Sequence, residues 1–127
     1  KCNKKEDSTR VTSINSCGEI LIIHLNRYHN NRGHLIRDQT LTKCINGSSG
    51  YDLTVPLLVD DCVSVDAAYT LLATINHSGS FNSGHYWACV KDKVNNTWFE
   101  CNDRSVLKID DLLVNNMTSY ILFYERC

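Results

Sequence analysis

Two strand-like blocks joined by a short polar turn, spanning residues 84–103, constrain this chain more than any other stretch. The first, Gly84-His85-Tyr86-Trp87-Ala88-Cys89-Val90-Lys91, is rich in aromatic and small apolar residues; the second is Trp98-Phe99-Glu100-Cys101-Asn102-Asp103. Residues 92–96 read as the turn between them, so the pair is a predicted β-hairpin. A histidine opens the first strand and an Asn-Asp pair closes the second. Antiparallel pairing sets those ends side by side, within reach of a hydrogen bond between His85 and Asn102 or Asp103. An imidazole oriented by an amide or carboxylate supplies two of the three members of a nucleophile–histidine–orienter triad. The third member has to be sought elsewhere.

The remaining segments favour the same fold class. Residues 20–28, Ile-Leu-Ile-Ile-His-Leu-Asn-Arg-Tyr, read as one strand buried on both faces. Residues 29–33 read as a turn, 35–41 as a weak strand, and Asn46-Gly47-Ser48-Ser49-Gly50 as the clearest loop. Pro56, the only proline, argues against a central strand over residues 51–58. Residues 69–77 form a strong strand, and unbroken alternation would place Tyr69, Leu71, Ala73, Ile75 and His77 on one face. Residues 78–84 are a small-residue loop, and 106–109 a short strand. Asp110 is positioned to cap a brief helix through Leu113, and residues 120–124 are a terminal strand. The expected fold is mainly β (α+β), an antiparallel sheet with one or two short helices, in a single domain of 127 residues.

Composition removes several function classes. A formal net charge of −1 gives no electrostatic basis for binding nucleic acid or an anionic membrane. No apolar run approaches the length of a membrane span. Seven cysteines, an odd number without paired spacing, fall partly inside strand-like runs, where a thiol behaves as a small hydrophobe. They read as reduced thiols of an intracellular protein, cytoplasmic or nuclear, rather than as a secreted disulfide framework. Four Asn-x-Ser/Thr triplets, beginning at Asn46, Asn76, Asn95 and Asn116, do not outweigh that reading in an asparagine-rich chain.

The order of these segments resembles the ubiquitin-specific proteases, papain-like cysteine enzymes of the deubiquitinase class. Residues 20–28 resemble the family's (I/V)LIIHLKRF segment, with Asn26 for lysine and Tyr28 for phenylalanine. Residues 69–79 are similar to its YxLxAVIxHxG strand, and Gly84-His85-Tyr86 matches its GHY box. Residues 98–106 match the box ending in N/D-D-x-x-V, and residues 120–126 the closing AYxLFYxR strand. Five motifs in order cover nearly the whole chain.

The resemblance implies roles. His85 would be the catalytic base, Asn102 its first-choice orienter and Asp103 the second. His77, Ser78, Gly79, Ser83, Gly84 and Tyr86 would border the channel for an extended ubiquitin tail, with Asn46–Gly50 beside them. His77 would brace the loop, and Tyr86, alternating away from His85, would pack beneath the site. Trp87 and Trp98 read as packing aromatics. The family's cysteine-bearing GLxNxGNTCYxN box has no counterpart here, and adjacency in sequence turns Cys101 away from Asn102. The chain is therefore expected to be the C-terminal portion of a catalytic domain, like the palm and fingers, with residues 1–16 a remnant of the fingers. Its expected partners are ubiquitin or ubiquitinated proteins and the missing N-terminal half. No cofactor is expected. Cys2 falls where the family has the second cysteine of a zinc-binding Cys-x-x-Cys pair, and one cysteine cannot make a tetrahedral site. The rival expectation is a non-catalytic module that binds ubiquitin or another partner.

Overall fold

A computed structural model describes residues 7–38, 52–59, 63–115 and 119–127. Nine strands and one short helix follow in order among them: β1 (Ile20–His24), β2 (Tyr28–Asn31), β3 (His34–Arg37), β4 (Asp52–Val59), β5 (Val63–Gly79), β6 (Gly84–Asp92), β7 (Thr97–Asn102), β8 (Ser105–Ile109), α1 (Asp111–Asn115) and β9 (Ser119–Arg126). All strand pairs are antiparallel. The main sheet runs β1-β9-β5-β6-β7-β8, with β4 paired to the early part of β5; β2 and β3 form a separate hairpin. The mainly β expectation holds, with a single short helix among the described residues. The Asn46–Gly50 loop and Cys2 lie outside those residues.

β5, 17 residues long, is the spine. β4 lines its first half; β6 and β9 flank its second half from opposite sides. Among the described residues β4 pairs with no second strand, only with Ile14 through one isolated parallel bridge at Leu57, which accommodates Pro56 and agrees with the argument that this segment is not central. The strand does form, since an edge position needs no ladder donor on its open side.

The alternation expected along residues 69–77 is broken. Leu71 pairs with Tyr124 and Ala73 with Phe123, so β5 carries an extra residue against β9. Such a bulge reverses which residues face the core. Tyr69 and Leu71 are buried before it, and Thr74 and Asn76 after it, while Ala73 and Ile75 turn to the opposite face with His77. A second shift, between Ile75 and Asn76, gives β9 its own extra residue at Tyr120.

Residues 20–28 are not one strand buried on both faces. β1 stops at His24 and, among the described residues, pairs with β9 alone; its side chains alternate between exposed and half-buried, with Ile20 and Ile22 open to solvent. Tyr28 instead begins β2. The expected turn over residues 29–33 narrows to Arg32 and Gly33, both at positive φ (51° and 87°) between the paired Asn31 and His34. That backbone suits a two-residue hairpin. β3 accordingly starts at His34 rather than Leu35.

The core lies on one face of the sheet. Val55 and Leu57 of β4 join Ala67, Tyr69 and Leu71 of β5, Cys89 of β6, Trp98 of β7, and Leu122 and Tyr124 of β9. Val114 of α1 completes it. The helix begins after Asp110, whose carbonyl accepts from Leu113 N at 3.0 Å, at the start expected from sequence.

Candidate active site

The β6–β7 register, Ala88 opposite Cys101 and Asp92 opposite Thr97, brings His85 and Asn102 to neighbouring positions on one face of the sheet. Their side chains meet: His85 Nε2 donates to Asn102 Oδ1 at 2.6 Å. Both groups sit at the solvent edge, His85 exposed and Asn102 half-buried. The bond fixes the neutral imidazole as its Nε2–H tautomer, leaving the lone pair on Nδ1. His85 Nδ1 has no hydrogen bond among the described residues. An imidazole held in this way is set up to accept a proton at Nδ1.

Asp103 does not reach the imidazole. It has φ of 52° and, with Arg104, makes the two-residue turn between Asn102 and Ser105, which are paired. An Asp is among the residues that tolerate this backbone, and the turn directs its side chain to solvent rather than to the ring. The structure brings one of the two candidate orienters to His85, and it is the amide.

His77 occupies the opposite face. It is buried, and Tyr28 Oη lies 3.3 Å from its Nδ1, while its carbonyl accepts from Arg37 Nη2 at 2.6 Å. Burial, and secondarily the nearby Arg37 guanidinium, hold its pKa below the usual 6.5. The ring also explains Gly84, since a Cβ there would collide with His77 Nε2 and lie 2.5 Å from Ser78 O. The loop beyond is short: Gly79 and Gly84 are still paired, Gly79 has φ of 115°, and Ser80 N donates to Ser83 O at 2.7 Å. Ser78 and Ser83 are exposed at this turn. His77 thus ties the end of β5 to the β2–β3 hairpin, its ring to Tyr28 and its carbonyl to Arg37.

Around His77 lies an aromatic cluster that sequence reasoning found only in part. Tyr86 packs on His77 with ring centroids 4.4 Å apart; Tyr120 lies 6.1 Å from His77, and Tyr28 packs edge-on against Phe81 at 5.4 Å. Tyr86 does not pack beneath His85. Strand alternation carries it to the His77 face, where it stays 54% exposed, and Phe81 is 58% exposed. Tyr28, Phe81 and Tyr120 come from three separate segments, and the signal that would have grouped them, the β9 bulge at Tyr120, is absent from sequence periodicity. Arg27 was also missed. It is buried, with Nε donating to Ser119 O at 2.6 Å and Nη1 to Asp38 O at 3.2 Å, so it ties the β2–β3 hairpin to β9.

Neither cysteine of the hairpin is placed as a nucleophile for His85. Cys89 is buried, and burial pushes its pKa up to about 11 against the opposing hydrogen bonds of Thr74 and Asn76. A thiol so raised is protonated and unreactive at neutral pH. Cys101, one residue from Asn102, falls on the other face of β7. Among the described residues no three His, Cys, Asp or Glu side chains cluster as a metal site, and no helix is long and apolar enough to cross a membrane.

A family model described as "Ubiquitin carboxyl-terminal hydrolase" matches residues 1–124. A curated relative, ubiquitin carboxyl-terminal hydrolase 4 of Pongo abelii, is 29% identical over 126 residues, covering 98% of this chain but 13% of that protein. The solved SAGA Ubp8/Sgf11/Sus1/Sgf73 DUB module bound to ubiquitin aldehyde shares the fold at a TM-score of 0.79 and 24% identity, over 91% of this chain and 26% of that one. A yeast SAGA DUB module with a mutant Sgf73 matches at a TM-score of 0.74 and 26% identity, over 91% and 25% of the two chains. The chain thus spans about an eighth of the curated relative and a quarter of the structural neighbours.

Proposed function

Because the chain belongs to the ubiquitin carboxyl-terminal hydrolase family, we propose that it supplies the histidine half of a thiol-dependent deubiquitinating site. The observation that carries this reading is the 2.6 Å bond from His85 Nε2 to Asn102 Oδ1. Asn102 holds the ring in the tautomer whose Nδ1 can take a proton from a thiol. The thiol would come from a segment outside this chain, as the absence of the family's cysteine-bearing box from this sequence implies; Cys89 is buried with a raised pKa, and Cys101 falls on the other face of β7.

In that reaction the thiolate attacks the carbonyl carbon of the terminal glycine of ubiquitin. The imidazolium returns its proton to the departing amine, and an acyl-enzyme thioester remains. The neutral imidazole then takes a proton from water, whose oxygen attacks the thioester and releases ubiquitin and the thiol. Asn102 orients the ring throughout but offers less support to an imidazolium than a carboxylate would. The exposed Tyr86 and Phe81, with His77 and the Gly79–Gly84 turn, border the path of an extended, glycine-ended tail. By this reading the isolated chain binds no acyl group and turns over nothing.

The experiment is complementation. The cysteine-bearing part of the catalytic domain, mixed with this chain, is expected to restore hydrolysis of a ubiquitin C-terminal amide, and His85→Ala in this chain to remove it by about 10²- to 10⁴-fold. Restored activity indifferent to His85→Ala overturns the assignment. Ubiquitin binding without hydrolysis, in a mixture shown to associate, favours the binding-module reading instead.

A further inference from the structure

We propose that Trp87 is a positioning residue for His85, a slab that holds the imidazole in plane for Asn102 and shields their hydrogen bond from water. The inference rests on the reading of His85 as the base and adds the group that keeps it aimed.

The problem it solves is exposure. A hydrogen bond between two surface side chains competes with water at both ends, so little of its strength survives as net stabilisation. His85 is exposed and Asn102 only half-buried, so the 2.6 Å bond between them lacks enclosure by the core. Left alone, the imidazole would sample other rotamers and Nδ1 would lose its direction.

Trp87 is two residues along β6 from His85 and therefore on the same face. Its indole lies nearly parallel to the imidazole, with planes 16° apart and ring centroids separated by 6.2 Å, inside the range of offset aromatic pairs. One step beyond the Ala88–Cys101 pair, the same register sets Trp87 across from Asn102. On the other flank Trp87 is paired with Asn76. Asn76 is fully buried, with Nδ2 on Thr74 Oγ1 at 3.1 Å and Cys89 Sγ at 3.5 Å, and its Oδ1 accepts from Ser119 Oγ at 3.2 Å. Trp87 itself packs against the core cluster. It is thus anchored where His85 is not, and it presents a rigid apolar face to a ring that needs one fixed orientation.

A merely space-filling tryptophan would leave the imidazole's behaviour unchanged when replaced by another packing residue. Nuclear magnetic resonance on the folded chain separates the two roles. In the wild type the His85 Nε2–H proton is expected to be observable, with ring C–H bonds as ordered as rigid backbone, at an order parameter of about 0.85. Trp87→Leu is expected to lose that proton to solvent exchange and lower the ring order parameter to about 0.6 or below, while Trp87→Phe keeps most of both. If leucine disturbs the fold, seen as lost methyl dispersion, Trp87→Met serves as the non-aromatic variant. Asn102→Ala tests the underlying pair and is expected to lose the Nε2–H signal whatever stands at position 87. Loss in Asn102→Ala but wild-type ring behaviour in the leucine or methionine variant overturns the role of Trp87. An Nε2–H signal that survives Asn102→Ala overturns the His85–Asn102 reading beneath it.

Discussion

At the scale of single residues, geometry separates two candidates that sequence left side by side. Asn102 and Asp103 are adjacent, yet only Asn102 meets His85; Asp103 is consumed by the β7–β8 turn. Asn102→Ala is therefore expected to lower kcat of the complemented enzyme by a large part of the histidine's 10²–10⁴, roughly, while Asp103→Asn leaves it near wild type. Steady-state kinetics on both variants checks this, and a larger loss for Asp103→Asn would contradict it. Gly84 offers a second test. An alanine there meets the His77 ring and lies 2.5 Å from Ser78 O, so Gly84→Ala is expected to destabilise the fold by about 1–3 kcal/mol in urea unfolding.

His77 also makes a pH prediction. Its folded pKa is lowered, by burial first and Arg37 second, from 6.5. The unfolded chain therefore takes the proton before the folded one does. Stability should fall as pH drops below about 6.5 toward the lower folded value, and level off beneath it as far as this group is concerned. Tyr28, Tyr86 and Tyr120 pack on its ring and Arg37 bonds its carbonyl, and none of these four carries a carboxylate. Urea midpoints at pH 7.5 and 5.5 should differ more in the wild type than in His77→Gln. Equal pH dependence in the two proteins would contradict the assignment.

At the scale of elements, the hairpin of β6 and β7 was legible because its cues are local: aromatic strand residues, a polar turn, and a histidine and an asparagine whose separation the turn determines. The brief helix after Asp110 and the strand character of β9 were legible on the same grounds. The face of β5 was not. Its alternation is reset by a bulge that exists only against β9, and no residue in β5 announces an extra unit opposite Phe123 and Tyr124. The same blindness hid the aromatic cluster, because Tyr120 joins His77 through the second register shift. β1 misled for another reason. Four apolar residues in a row suggested burial on both faces, but an edge strand carrying half-exposed isoleucines has the same composition. Strand β9, between β1 and β5, ties the sheet together. Leu122→Ala in its buried centre is expected to cost about 2–5 kcal/mol by chemical denaturation, well above the effect of Ile20→Ala on the edge.

At the scale of the whole molecule, the sheet has one face in the core and another that remains partly open. Ile22 on β1, Val90 on β6 and Val106 on β8 share that second face, and among the described residues the outer strands β1 and β8 each have a strand partner on one side only. Apolar side chains and free strand edges together favour association. Sedimentation of the chain alone is expected to show concentration-dependent self-association, reduced by Ile22→Lys with Val106→Lys. A monodisperse monomer at all concentrations would contradict this.

The central claim is that His85, aimed by Asn102, is the base of a ubiquitin-processing site whose thiol lies outside these 127 residues. The most direct measurement is hydrolysis of a ubiquitin C-terminal amide by this chain mixed with the cysteine-bearing part of the catalytic domain. The chain alone should give no turnover, the mixture should restore it, and His85→Ala should abolish it. Turnover by the isolated chain, or restored activity that survives His85→Ala, would contradict the account.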